Sequence, residues 1–170
     1  HQSAVVGYTA QSRIMQTLRI DSTQPIDEIA SQLNEFQPEV VIAYANMGKL
    51  LALLQINGTL RIQPSSVICA SEVLTTHARK LIFKAWNIEP YNTYGATETA
   101  GIASETTEHN GLKVFDDLVI VENVDDNYKP VINGKFGTKI LVTVLFSRTI
   151  PLIRYELDDS ICFSEHQEYD

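Results

Sequence analysis

Five consecutive residues, Tyr94-Gly95-Ala96-Thr97-Glu98, place an aromatic ring, a glycine, a hydroxyl and a carboxylate in one short stretch. Each can serve a nucleotide. The Tyr94 ring offers a flat face to a base, and Thr97 offers a hydroxyl to a phosphate oxygen. Glu98 is a hard oxygen ligand of the kind Mg²⁺ takes beside substrate phosphates. Gly95 can adopt backbone angles closed to other residues and lets a ligand approach the main chain. The same five residues also read as a strand-to-turn junction ending in a solvated Glu. The stretch alone does not separate the two.

The elements before it give it a setting. Pro25 suits the first turn of a helix that Ser22 or Thr23 caps. Ile26, Ile29, Leu33 and Phe36 recur at helical spacing, Asp27 and Glu28 lie where the helix dipole favours acids, and Pro38 stops the run. Val40–Tyr44 reads as a buried strand. Asn46 is the expected cap of a second helix, Met47–Ile56, closed by Asn57-Gly58. Ser66–Ala70 is a short apolar strand. Thr75 or Thr76 opens a third helix with Ala78, Leu81, Ile82 and Ala85 on one face, closed by Asn87 and Pro90. A strand over Ile88–Thr93 then leads into Tyr94. This alternation predicts an α/β fold with a mostly parallel sheet and crossover helices. In such sheets ligands sit beyond the carboxyl ends of the strands. Tyr44-Ala45-Asn46, Ala70-Ser71-Glu72 and Tyr94–Glu98 all fall at such ends.

After Gly101 the pattern changes. Ser104–Asn110 is polar and reads as a loop. Leu118–Val121, Lys139–Phe146, Leu152–Tyr155 and Ile161–Phe163 read as strands, with turns at Asp125–Asn127 and Asn133-Gly134. This part is predicted to be an antiparallel β subdomain, giving an α/β part over 1–101 and a β-rich part over 102–170. Among the remaining polar residues, His77 reads as a surface or cap residue, and His109 and His166 as loop residues. Asp116-Asp117 and Asp125-Asp126 read as solvated turn and strand-end acids. Phe83 and Trp86 read as packing residues. The start of the chain is less regular: Ala4–Val6 fits a short strand, and Arg13–Ile20 fits either helix or strand.

A net charge of −8 in 170 residues argues against binding a nucleic-acid backbone, which calls for a basic face. It leaves room for one nucleotide in a pocket. Cys69 and Cys162 form no CxxC pair and sit in apolar runs, so buried free thiols are expected for both. No apolar run is long enough to span a membrane and no signal pattern is legible, so a cytoplasmic location is expected.

Three landmarks in order carry a family resemblance. Ala70-Ser71-Glu72, Tyr94-Gly95-Ala96-Thr97-Glu98 and Pro151–Asp159 together resemble adenylate-forming enzymes, closest to the phenylacetate-CoA ligase branch of the acyl-CoA synthetases. The resemblance runs from about Pro25 to Asp159. It implies that Ala70, Ser71 and Glu72 frame an adenine pocket and that Tyr94, with Gly95 and Ala96, lies against the base. Thr97 would bond the α-phosphate, Glu98 would ligate Mg²⁺, and Asp159 would accept from the ribose hydroxyls. Tyr44, Ala45 and Asn46 would lie near the acyl pocket. The implied reaction adenylates a small carboxylic acid with ATP and passes the acyl group to a thiol, on CoA or a carrier protein, with neither nucleic acid nor membrane as partner. Such chemistry needs positioned charge more than a protein nucleophile, which suits a chain with no Ser/His/Asp or Cys/His constellation.

There are departures. Asp158 stands where glycine or arginine is common in relatives. Thr106 and Lys113 stand where some relatives carry a metal-binding Cys and His, so no zinc is expected. Neither a Ser/Thr/Gly-rich phosphate loop nor a lysine-bearing C-terminal domain is found. The chain opens on His1 and ends on a polar run over 164–170, and it reads as an excerpt that would catalyse nothing by itself. The alternative is a non-catalytic nucleotide-binding or interaction module with the same fold.

Overall fold

The computed structural model describes residues 16–165. The Ala4–Val6 strand, the first part of the Arg13–Ile20 segment and His166 lie outside them. Residues 16–20 form neither helix nor strand. The described chain divides into two compact units. One comprises 16–68 with Leu74–Pro90, and the other comprises Cys69–Val73 with 91–165. The strands belong to a five-stranded sheet, order β1-β2-β3-β4-β5, and a three-stranded sheet, order β6-β7-β8.

The first unit holds α1 (Ile26–Phe36), β1 (Val40–Tyr44), α2 (Ala45–Asn57), the start of β2 (Ser66–Ala70) and α3 (Thr76–Trp86). Helix between strand and strand is the connection that parallel strands require. Helix α1 buries Ile29, Ala30 and Leu33, with Asp27 and Glu28 in its first turn. Its N-cap position is Pro25 with no side-chain cap. Thr23 lies two residues before that position, where its amide and hydroxyl donate to the Asp21 carboxylate at 2.9 and 2.8 Å, so neither it nor Ser22 is the expected cap. The chain also enters α2 two residues earlier than expected. Ala45 is its first residue, Tyr44 takes the cap position, and Asn46 is an exposed helical residue rather than a cap. Gly58 ends α2 at φ 83°, a left-handed conformation that glycine adopts at little cost. The α2–β2 connection is held from α1. Asn34 donates to the Thr59 carbonyl and accepts from the Arg61 amide, while Gln37 donates to the Arg61 carbonyl. These bonds pair backbone groups that no strand or helix satisfies, while Leu60 and Ile62 are buried.

In α3, Ala78, Ile82 and Trp86 are buried at i, i+4 and i+8. The expected packing face thus moves toward Trp86, and Phe83 turns outward, 47% exposed. The Thr75 hydroxyl accepts from the Ala78 amide at 3.2 Å, closing the helix start, and Asn87 ends the helix at φ 56°.

The second unit holds the end of β2, then β3 (Tyr91–Ala96), β4 (Ala100–Glu105), β5 (Leu112–Val114), β6 (Val119–Val124), β7 (Lys139–Val144) and β8 (Tyr155–Leu157). β3, β4 and β5 pair antiparallel in sequence, and so do β6, β7 and β8. Ile102, Ala103, Val119, Ile140, Val142 and Val144 form its buried core, with Tyr94, Leu157 and Ile161 packed against it. Three expectations change here. Ser104 and Glu105 extend β4 into the segment read as a loop, since Thr93 and Ser104 are paired and their hydroxyls meet at 3.0 Å. The last long strand lies at Tyr155–Leu157, not Leu152–Tyr155, because Val142, Leu141 and Ile140 set its register. Ile161–Phe163 supplies only a single bridge, Cys162 to Phe136. Cys162 is therefore exposed, whereas Cys69 is buried as expected.

Removing the Thr75 cap should isolate one local contribution. Thr75→Ala is expected to cost about 1 kcal/mol of stability, the usual worth of a threonine N-cap. Urea unfolding monitored by circular dichroism would show it as a lower midpoint with unchanged slope.

Candidate functional site

The five-residue motif is the end of a strand and the tip of a hairpin. Tyr94, Gly95 and Ala96 belong to β3, and residues 97–99 form the turn into β4. The pairing runs Tyr94 to Ala103, then Gly95 to Gly101, with a bulge between Tyr94 and Gly95. The glycine has a structural reason of its own. A Cβ on Gly95 would sit 2.5 Å from the Ala100 carbonyl oxygen, so the close approach of β4 requires a glycine here. Ala100 completes the turn in the left-handed region, φ 60°. That fits a three-residue hairpin connection, whose return residue commonly takes this conformation.

This hairpin sorts the motif's side chains. Tyr94 is half-buried, its ring packed against the apolar core of the unit. Thr97 and Glu98 are exposed at the tip, and Thr99 is buried beneath them at 1% exposure. Ala70 ends β2, and Ser71 follows at φ 62°. That left-handed turn sends Ser71, Glu72 and Val73 outward, all exposed. No composition signal marked Ser71 for it.

Asp159 lies 65 residues from Tyr94 in sequence, yet the Tyr94 hydroxyl donates to Asp159 Oδ2 at 2.6 Å. Asp159 is not on a strand. It follows β8 by two residues, and anchors on both sides hold it. Before it, Leu157 pairs with Ile140 and packs on the core. After it, the Ser160 hydroxyl donates to the Gly137 carbonyl at 2.6 Å, and Ile161 accepts from the Gly137 amide. Asp158 is exposed beside it. Within the same segment Arg154 donates to Glu122 from Nε, 3.0 Å, and from its amide to the Thr143 hydroxyl. Burial, and then the hydrogen bond and negative charge of Asp159, push the Tyr94 hydroxyl well above the ordinary tyrosine range. It therefore acts as a fixed donor.

Ala70–Glu72, Tyr94–Glu98 and Asp159 thus all belong to the second unit. Tyr44, Ala45 and Asn46 belong to the first. There Tyr44 is exposed at the end of β1, Ala45 is buried, and Asn46 is exposed on α2. Among the described residues no three His, Cys, Asp or Glu side chains cluster as a metal site. One exposed carboxylate suits the way Mg²⁺ binds, through one or two carboxylates with substrate phosphates and water. Among the described residues, too, no helix is long and apolar enough to cross a membrane.

Comparison with known proteins adds a fold. No protein-family profile matches the chain. It is 28% identical over 133 residues to protein CapK of Staphylococcus aureus, covering 76% of this chain and 28% of CapK. It is 25% identical over 166 residues to a fumarate–(S)-2,3-diaminopropanoate ligase of Enterobacter agglomerans, covering 95% of this chain and 41% of that ligase. A 2-hydroxyisobutyryl-CoA ligase, solved in an open conformation with 2-HIB-AMP and CoA, superposes with a TM-score of 0.72 at 16% identity. That match covers 85% of this chain and 36% of the ligase. The fold is that of the adenylate-forming enzymes. The chain spans less than half the length of the curated relatives it matches.

In this adenylate-forming fold the Tyr94 hydroxyl should keep its proton through the alkaline range. The raised value means that its contribution to stability is full below about pH 10, where an unfolded tyrosine ionises, and falls as pH rises beyond it. Tyr94→Phe should leave the number of tyrosines ionising near pH 10 unchanged in the folded protein, as read by tyrosinate absorbance. It should also flatten the alkaline loss of stability. One fewer ionising tyrosine in the variant would contradict the assignment.

Proposed function

We propose that this chain carries the adenine- and ribose-side part of an ATP-dependent acid–thiol ligase, similar to phenylacetate-CoA ligases. The observation that carries the reading is the Tyr94–Asp159 hydrogen bond. It joins two motifs singled out separately in the sequence and fixes a ring edge beside a carboxylate. That is the pairing an adenosine needs, a flat face for the base and an acceptor for the ribose hydroxyls. Asp159 Oδ2 accepts the tyrosine hydrogen bond, and the carboxylate has acceptor capacity beyond that one bond.

The remaining roles follow from position. Ala70, Ser71 and Glu72 would frame the base, where the left-handed turn at Ser71 presents backbone rather than a bulky side chain. Thr97 would donate to the α-phosphate and Glu98 would ligate Mg²⁺, both from the exposed hairpin tip. Mg²⁺ would neutralise charge that develops on the phosphates. The substrate carboxylate would attack the α-phosphorus while the bond to pyrophosphate breaks. A thiol, on CoA or a carrier protein, would then attack the acyl carbon and release AMP. Tyr44, Ala45 and Asn46 would border the acyl pocket. The α/β part over 1–101 and the β-rich part over 102–170 would work in the cytoplasm with a phosphate loop and a lysine-bearing domain from the rest of the enzyme.

The intact enzyme tests this. Glu98→Gln should fold normally yet lower ATP–pyrophosphate exchange roughly a hundredfold or more, the scale seen for one preorganised charge-stabilising group. Unchanged exchange would remove Glu98 from the metal. Asp159→Ala should weaken ATP binding about tenfold or more, the worth of a charge-assisted hydrogen bond. Asp158→Ala should weaken it much less, by calorimetry. Equal losses at the two positions would place the ribose elsewhere.

A further inference from the structure

Helix α3 carries a surface that its own stability does not favour. Its 11 residues include Arg79, Lys80 and Lys84 and no carboxylate, in a chain with 21 Asp and Glu against 13 Lys and Arg. A helix dipole favours acids at the N-terminus and cations at the C-terminus. Helix α1 obeys at its start with Asp27 and Glu28; α3 has no acid in its first turn, carries Arg79 and Lys80 one turn in, and places only Lys84 in its last turn, where the dipole favours a cation. Lys80 and Lys84 are four residues apart, a like-charge spacing that destabilises a helix. The positions four residues outside that pair, Thr76 and Ile88, provide no carboxylate.

These residues share one side. With Ala78, Ile82 and Trp86 turned inward, His77, Lys80, Phe83 and Lys84 form an exposed stripe. Phe83, Lys80 and Thr76 also line a shallow cleft of about 330 Å³ with Arg79 and Glu89. The Arg79 guanidinium donates to Glu89 Oε1 at 3.1 Å and to the Pro90 carbonyl at 2.8 Å, which ties it to the cleft wall. The two lysines project as outward charges on either side of an exposed aromatic ring.

We propose that this face of α3 docks an acidic protein surface that brings an apolar side chain against Phe83. An aromatic centre with a charged rim is the arrangement that protein interfaces favour. Local charge complementarity would orient the partner against the repulsion of an otherwise acidic chain. A nucleic acid would call for a broader basic face than one helix provides. None of these residues belongs to the proposed nucleotide site, so the inference stands whether or not the ligase reading does.

The test titrates the full chain into a dye-labelled Glu-rich peptide carrying leucines, read by fluorescence anisotropy. Saturable binding that weakens with salt is expected. Lys80→Gln/Lys84→Gln should weaken it roughly tenfold, and so should Phe83→Ala. The double lysine variant removes a like-charge pair and should melt no lower than the wild type, which separates lost binding from unfolding. Lys129→Gln/Lys135→Gln, at two exposed lysines elsewhere, should leave binding unchanged. Absence of binding, equal weakening by the Lys129/Lys135 pair, or tighter binding to duplex DNA or phosphatidylserine vesicles than to the peptide would each overturn the proposal.

Discussion

The close approach of β4 to β3 at Gly95 governs the motif-bearing part of the molecule. The Ala100 carbonyl lies where a Cβ on residue 95 would be, so only a glycine lets the hairpin close in this register. Closure has three consequences. It inserts the bulge between Tyr94 and Gly95, which re-aims the strand. It requires the left-handed Ala100, a conformation that costs a non-glycine residue roughly 1–2 kcal/mol. It leaves Tyr94 on the core side of the strand and Thr97 and Glu98 at the exposed tip. A backbone contact thus decides which motif residues pack and which face solvent.

Packing then determines how the polar groups are used. The Tyr94 ring rests on the core formed around Ile102, Ile140 and Val142, while its hydroxyl reaches the edge and meets Asp159. Burial of the ring disfavours the phenolate, and the neighbouring carboxylate disfavours it further. Both effects keep the proton on the tyrosine, so the hydroxyl is the donor. Leu157 and Ile161, two residues to either side of Asp159, fix its backbone on the same core. The acceptor is thus held in place by residues packed on either side of it, which is what preorganisation requires.

Much of the fold was legible because its signals are local. The spacing of Ile29 and Leu33, the Thr75 cap and the Asn57-Gly58 stop each depend on a few neighbouring residues, and each appears where it was expected. The misses are tertiary. Nothing local to Ser104 and Glu105 says that Thr93 will pair with the first and Leu112 with the second, so a polar run reads as a loop. The register of β8 is set by β7, and the exposure of Cys162 by the failure of its segment to join a sheet. In the site, residue types marked Tyr94, and only the family resemblance marked Asp159. Their meeting depends on a 65-residue separation that no spacing rule covers. The steric need for Gly95 was hidden for the same reason, because the partner that excludes its side chain is another strand.

A shared fold and a shared chemistry carry different weights here. At 16% identity the superposition on the 2-hydroxyisobutyryl-CoA ligase assigns an architecture, and that architecture is compatible with more than one activity. The functional argument therefore has to come from residues. An adenylating site asks little of a protein in covalent terms, since ATP brings the leaving group and the substrate brings the nucleophile. It asks for a face, an acceptor and a cation ligand in fixed relation. In the proposed reading Tyr94 and Asp159 would supply the first two, and the structure shows only the hydrogen bond that joins them. Glu98 differs because the hairpin tip leaves it exposed, so in that reading any order it acquired would come from a metal and phosphates. The nucleoside end of such a site would then be built by folding, and the phosphate end would be completed only when the nucleotide and its cation arrive.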